Sequence, residues 1–143
     1  MFAGQLALIA AALFSGAALY VGAVEHVARN ALPIGARLTE WKPAYKRGAM
    51  MQAPLAIFGG ALGLIAWWQS ADWQWAVGAL IILANWPYTL IAIMPVNKKL
   101  LAIDPGAAGA EAGAMLEEWA RLHAGRTALG FLATLTFLWA SLR

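Results

Sequence analysis

The stretch EEWARLHAGR, residues 117–126, places Trp119, His123 and Arg126 at i, i+4 and i+7, one stripe of a helix that Thr127 extends. A histidine can exchange a proton near neutral pH and a nearby arginine can hold an oxygen anion, so the stripe carries a base beside an anion stabiliser. The only other histidine lies in YVGAVEHVAR, which contributes Tyr20, Glu25, His26 and Arg29, with Glu25 and Arg29 spaced to pair over one helical turn. WKPAYKRGAMMQ adds Trp41, Tyr45 and Gln52, the last two about two turns apart on one face. NWPYTLIAIMPVNKKL adds Asn97, with Thr89 roughly 12 Å and Asn85 roughly 18 Å deeper along a helix bent by Pro87 and Pro95. Taken singly, each residue has an ordinary role. Arg126 is a snorkelling anchor, a lone histidine packs, and Glu25–Arg29 is an interfacial salt bridge. Their coincidence at one depth on different helices argues for a polar pocket, because ionisable groups facing the inside of a membrane protein mark functional sites.

Helices in lipid have to hold these groups. Hydrophobic residues make up 62% of the 143, charged residues 12%, and mean hydropathy is +0.66, too apolar for an ordinary soluble domain. Apolar segments at 2–24, 49–69, 73–94 and 127–142 predict an all-α fold, a four-transmembrane-helix bundle forming a single membrane domain over 1–143. The first segment has no basic leader and is long enough to cross, so it reads as a retained span and not a cleaved signal. The fourth is short, so its helix is expected to begin near Glu111 and extend beyond the membrane on the cytoplasmic side.

Nine of the ten basic residues fall in 25–48 and 95–126. The positive-inside bias makes those segments cytoplasmic loops and places both termini outside. The formal net charge of +3 then has a topological cause and needs no nucleic acid. Trp67, Trp68, Trp73, Trp75 and Trp139 are expected as an interfacial belt on the opposite side. Ala12/Gly16, Ala18/Gly22 and the glycines at 59, 60 and 63 predict close helix approach, and 104–113 reads as a flexible linker or cover. With no cysteine, any metal would rest on His, carboxylate, Tyr or backbone oxygen.

Four segments, GAALYVGAVEHVAR, WKPAYKRGAMMQAPLA, WPYTLIAIMPVNKKLL and EEWARLHAGRTALG, occur in this order across the four helices. Together they resemble the anthrone oxygenase-like family of small four-helix integral membrane proteins, formerly a domain of unknown function. EHxAR, P-x-N-x-x-L and W-x-x-x-H-x-x-R carry the resemblance, with Val27 standing where many relatives are expected to have proline. The resemblance implies a membrane-bound oxygenase, since fungal relatives are associated with oxidising an anthrone at its activated methylene to an anthraquinone with O2 and no dedicated organic cofactor. It carries over Glu25, His26, Arg29, Trp41, Tyr45, Gln52, Pro95, Asn97, Trp119, His123 and Arg126.

On this reading the substrate is polycyclic or phenolic, and its resonance-stabilised anion passes an electron to O2. His123 is the expected base, with His26 as the alternative. Arg29 and Arg126 stabilise the enolate or peroxide oxygen, Asn97, Gln52 and Tyr45 orient the substrate, and Trp41, Trp119 and Tyr20 form an aromatic wall, with Thr89 deeper in the pocket. A second reading is a metal- or haem-binding redox protein using His26 and His123 with Glu25 as a third ligand, although adjacent Glu25 and His26 depart from the E-x-x-H pattern of di-iron bundles. A third is a non-enzymatic lipid- or quinone-binding membrane protein. The expected partners are a small aromatic or quinone-like substrate, O2 and membrane lipids, with no nucleic acid. A homo-oligomer is compatible with the sequence, and the first reading requires no cofactor.

Overall fold

The computed structural model describes residues 1–143, which form helices joined by short turns, with no strand. There are four rods: α1 (Phe2–Arg29), α2 (Ile34–Ser70), α3 (Trp73–Ala102) and α4 (Ala110–Ser141). The first three are long and apolar enough to cross a membrane, consistent with an integral membrane protein. In α4 residues 111–126 carry Glu111, Glu117, Glu118, Arg121 and Arg126, so its uninterrupted apolar stretch is shorter. The rods alternate in direction, and each packs along two neighbours: α1 and α3 each lie against α2 and α4.

The segments 25–48 and 95–126, expected as loops, are mostly helical. Only the turn at 30–33 separates α1 from α2, so α2 runs for 37 residues. That is about 55 Å of helix against about 30 Å of hydrocarbon. The excess length carries Trp41 to Gln52. Arg37 ties the turn, donating from Nε to the Leu32 carbonyl and from Nη2 to the Asn30 carbonyl, both at 2.7 Å. Lys42 does the same at the end of α3, where its ammonium donates to the carbonyls of Leu101 at 3.2 Å and Ile103 at 2.6 Å. Cations there satisfy terminal carbonyls and oppose the helix dipole, so these two basic residues are helix caps. The segment 104–113, expected as a linker or cover, is held in place. Asp104 accepts a hydrogen bond from the Gly106 amide at 2.9 Å, and the Pro105 carbonyl lies so near Gly35 that a Cβ there would come within 2.7 Å.

Toward the 71–72 turn the helices meet through small residues. Gly59 sits on Ala10 and the adjacent backbone of α1, Gly63 and Gly78 receive the Phe137 ring, and Gly4 receives the Trp75 ring. Two expectations change here. Trp75 is 3% exposed and stacks on Phe137, because Gly4 leaves room for its ring beneath α1, while Trp67, Trp68, Trp73 and Trp139 face outward. Ala12 and Gly16 also face outward, with nothing within 4 Å of a Cβ at Gly16; the close approach of α1 uses Ala7 and Ala11 on another face.

The opposite half is less regular. Val21–Glu25 in α1 and Thr89–Ile93 in α3 form π turns, closed by His26 N–H to Val21 and by Met94 N–H to Thr89. Pro87 and Pro95, expected to bend α3, flank its π turn, and each lacks the amide that would close a regular bond. Pro43 and Pro54 lie inside α2 without interrupting it.

Candidate active site

Residues from both π turns meet α2 and α4 around a polar chamber of about 30 Å³, room for a water-sized molecule. Val21 and Glu25 come from α1, Tyr45, Gly48 and Gln52 from α2, Ile93 and Asn97 from α3, and Trp119, His123 and Arg126 from α4. Helical period explains most of this set. Tyr45 and Gln52 share a face as their spacing implies, Ile93 and Asn97 are one turn apart, and the α4 stripe points inward together.

The imidazole of His123 is fixed from two sides. Its Nε2–H donates to the Ala18 carbonyl at 3.0 Å, which leaves the lone pair on Nδ1, and Nδ1 has no partner within the chain. Its ring stacks on Trp119 with centroids 5.1 Å apart. Trp119 in turn meets Trp41 edge-on at 5.7 Å, and Trp41 stacks on Tyr45 at 4.9 Å. An aromatic ladder therefore runs from α4 to α2 and holds the imidazole in place.

Arg126 has no carboxylate within ion-pair distance, and its guanidinium carbon lies 5.5 Å above the Phe14 ring centroid. Its Nε is buried without a partner, as are Gln52 Oε1, both amide atoms of Asn97 and Trp119 Nε1. An unpartnered buried polar atom costs about 1–3 kcal/mol, so their gathering on residues of one chamber marks it as a place for a polar guest. Tyr45, Ala49 and Arg126 also line a second, mainly apolar cavity of about 190 Å³ that reaches Thr89 and Asn85. Arg126 thus stands between a small polar space and a larger apolar one.

The other sequence candidates lie elsewhere. Arg29, 3% exposed, is clamped by two carboxylates: its Nη2 donates to Glu25 at 2.6 Å and its Nε to Glu40. It adjoins the chamber only through Glu25. His26 Nε2 lies 3.3 Å from Glu117, and the Asn30 amide donates to the same carboxylate at 3.0 Å. Trp41 is fully buried behind Tyr45, and Tyr20 is 56% exposed on an outer groove. The two histidines therefore have separate surroundings, and no group of three or more His, Asp or Glu side chains is arranged to hold a metal ion. Sequence reasoning passed over Gly48, Val21 and Ile93 as chamber walls, and Glu40 and Glu117 as partners of Arg29 and His26. The four-residue spacing of Ala44, Gly48 and Gln52 was a usable signal. Glu40 and Glu117 lie on other elements, where no spacing within a helix reveals them.

Fold and site together define a helical protein of membrane type with an internal polar chamber walled by all four helices. Within that class the chain belongs to the anthrone oxygenase family: the family model described as anthrone oxygenase matches residues 41–136. The matched stretch takes in the α2, α3 and α4 walls and leaves α1, with Glu25, His26 and Arg29, outside it. No curated protein and no solved structure matches the chain. Family membership suggests an oxygenase-like function.

Proposed function

We propose that this chain is a membrane-bound oxygenase that oxidises an activated polycyclic or phenolic substrate with O2, in the manner of anthrone to quinone. The observation that carries the reading is a fixed imidazole with a free Nδ1 lone pair beside an arginine that has no carboxylate partner. Nδ1 of His123 takes a proton from the activated methylene, and Arg126 holds the resulting enolate oxygen. The electron-rich anion gives an electron to O2, and recombination forms a carbon–oxygen bond. Loss of water from the hydroperoxide leaves the carbonyl, so one oxygen atom of O2 ends in the quinone and the other in water. The apolar cavity takes the fused rings, while the polar chamber takes the oxygen species, oriented by Gln52, Asn97 and Tyr45. The reaction on this reading needs no organic cofactor or metal. In the membrane α4 forms the fourth span, both termini lie outside, and the chamber lies toward the cytoplasmic side.

The test is oxygen uptake by detergent-purified protein given an anthrone, corrected for the protein-free rate. Uptake well above that background, abolished by His123→Ala, is the expected result. Equal rates for His123→Ala and the unaltered protein would remove His123 as the base.

A further inference from the structure

The chamber has a thin wall on the outer side of α1 and α2. An open groove of about 460 Å³ runs between the end of α1 and the overhang of α2. Val21, Glu25, Ala44, Gly48 and Gln52 line both this groove and the chamber. The partition is one side-chain layer thick, and on α2 it consists of the small residues Ala44 and Gly48 beside Gln52. A Cβ added to Gly48 would meet only Gln52 Nε2, at 4.0 Å, so the seam is loosely filled. Gln52 is 2% exposed, and its Oε1 is unpartnered there.

Outside the seam the groove continues through Ala17 and Met51 into an apolar trough of about 520 Å³, lined by Leu13, Met50, Pro54 and Phe58 among others. Both α1 and α2 are apolar enough to cross a membrane, so bilayer covers the trough, while the seam lies on the overhang of α2 at the edge of the bilayer, where Arg47 also lines the groove. A neutral polycyclic phenol concentrates in the acyl region of a bilayer, because burial of its rings is favoured there. An acyl chain would bring only carbon to the seam, where Gln52 offers an amide.

We infer that the Ala44–Gly48 seam is a lateral portal, through which a flat apolar aromatic substrate enters from the edge of the bilayer by parting the loosely filled seam, and passes the chamber to seat its rings in the apolar cavity beyond. The apolar trough receives its rings, and Gln52 meets its oxygen at the seam. The identity of the substrate rests on the oxygenase reading; the route does not.

The chain has no cysteine, so single thiols can be placed cleanly. Met51→Cys stands at the outer mouth, where the residue is 53% exposed, Ala44→Cys stands in the seam, and Leu135→Cys, at a position 59% exposed on α4, is the control. Each is treated with a methyl or a benzyl methanethiosulfonate, and kcat/KM for anthrone is read from oxygen uptake. The benzyl group at Met51→Cys and at Ala44→Cys is expected to lower kcat/KM about tenfold, with less than about a twofold effect from the methyl group or at the control. Unchanged kcat/KM for benzylated Met51→Cys overturns the portal, even if Ala44→Cys loses activity, since that would report only a reduced chamber. If the unaltered protein consumes no oxygen, the oxygenase reading fails and the route is judged on binding alone. The rate at which added anthraquinone quenches tryptophan fluorescence should then fall in benzylated Met51→Cys, and an equal rate or no quenching overturns the portal.

Discussion

Phe14 and Trp41 are both wholly buried aromatic residues, one in each half of the molecule, and their surroundings obey different rules. Around Phe14 the core is built from alanines at 7, 11, 18, 56, 79 and 133 with Phe137, Trp75 and Ile82. The hydroxyls of Ser15 and Thr134 meet each other at 3.0 Å, so the polar atoms beside Phe14 are paired, and Gln74 Oε1 near the 71–72 turn is the exception in this half. Around Trp41 the core consists of large side chains, Leu38, Ile93, Val96, Leu100, Leu116 and Trp119, and the indole nitrogens of both tryptophans are unpartnered. Small residues let helix backbones approach closely, whereas bulky ones hold them apart. One half is tightly packed, and the other keeps its helices separated around a polar space. On the proposed function, stability and chemistry belong to different ends of the same four rods, with Arg126 lying over Phe14 at the boundary.

Changes in the open half should fall mainly on activity, and changes in the tight half mainly on stability. The largest effect on activity belongs to His123→Ala, which should lower anthrone-dependent oxygen uptake by about 10²–10⁴-fold, well beyond what the roughly 1–3 kcal/mol of stability lost with its bond to the Ala18 carbonyl would cause. Arg126→Gln follows, with about 10²–10³-fold loss of turnover. Because it removes a cation without a carboxylate partner, its unfolding temperature should match or exceed that of the unaltered protein. In the tight half, Gly78→Ala places a Cβ 2.5 Å from the Phe137 ring. It should destabilise by about 1–3 kcal/mol, read as a lower unfolding temperature, while turnover per folded molecule stays the same. The smallest effect is expected for Gly16→Ala, which points into open space and should stabilise by about 0.5–1 kcal/mol. Equal destabilisation by Gly16→Ala and Gly78→Ala would erase the distinction between contact and surface glycines on which the comparison depends.

Features governed by a single helix could be read before the fold was known. The inward stripe of Trp119, His123 and Arg126, the shared face of Tyr45 and Gln52, and the Glu25–Arg29 pair all follow from period. Features governed by two helices could not. Spacing alone made Ala12/Gly16 as good a contact pair as Ala7 and Ala11, because the rotation of α1 about its axis is set by what α2 and α4 present. Trp75 resembled an interfacial anchor because its burial depends on Gly4, some seventy residues away in sequence. Arg29 resembled an anion binder because Glu40, across the 30–33 turn, lies outside the periodicity of α1. The long helical overhang of α2 is hidden by charge: its basic residues mark the membrane boundary, where the solvent changes and the helix does not.

The most direct test of the chamber as a deprotonation site separates proton removal from oxygen chemistry. The absorption spectrum of an anthrone bound to the protein is recorded without oxygen, near neutral pH, beside the His123→Ala and Arg126→Gln proteins. The unaltered protein should convert the bound ligand to its anion, with the anion band lost in both variants, and admission of oxygen should bleach that band as quinone appears. A bound ligand that keeps the neutral spectrum in all three proteins, yet is still oxidised, would show that the imidazole and the guanidinium do not perform the step assigned to them.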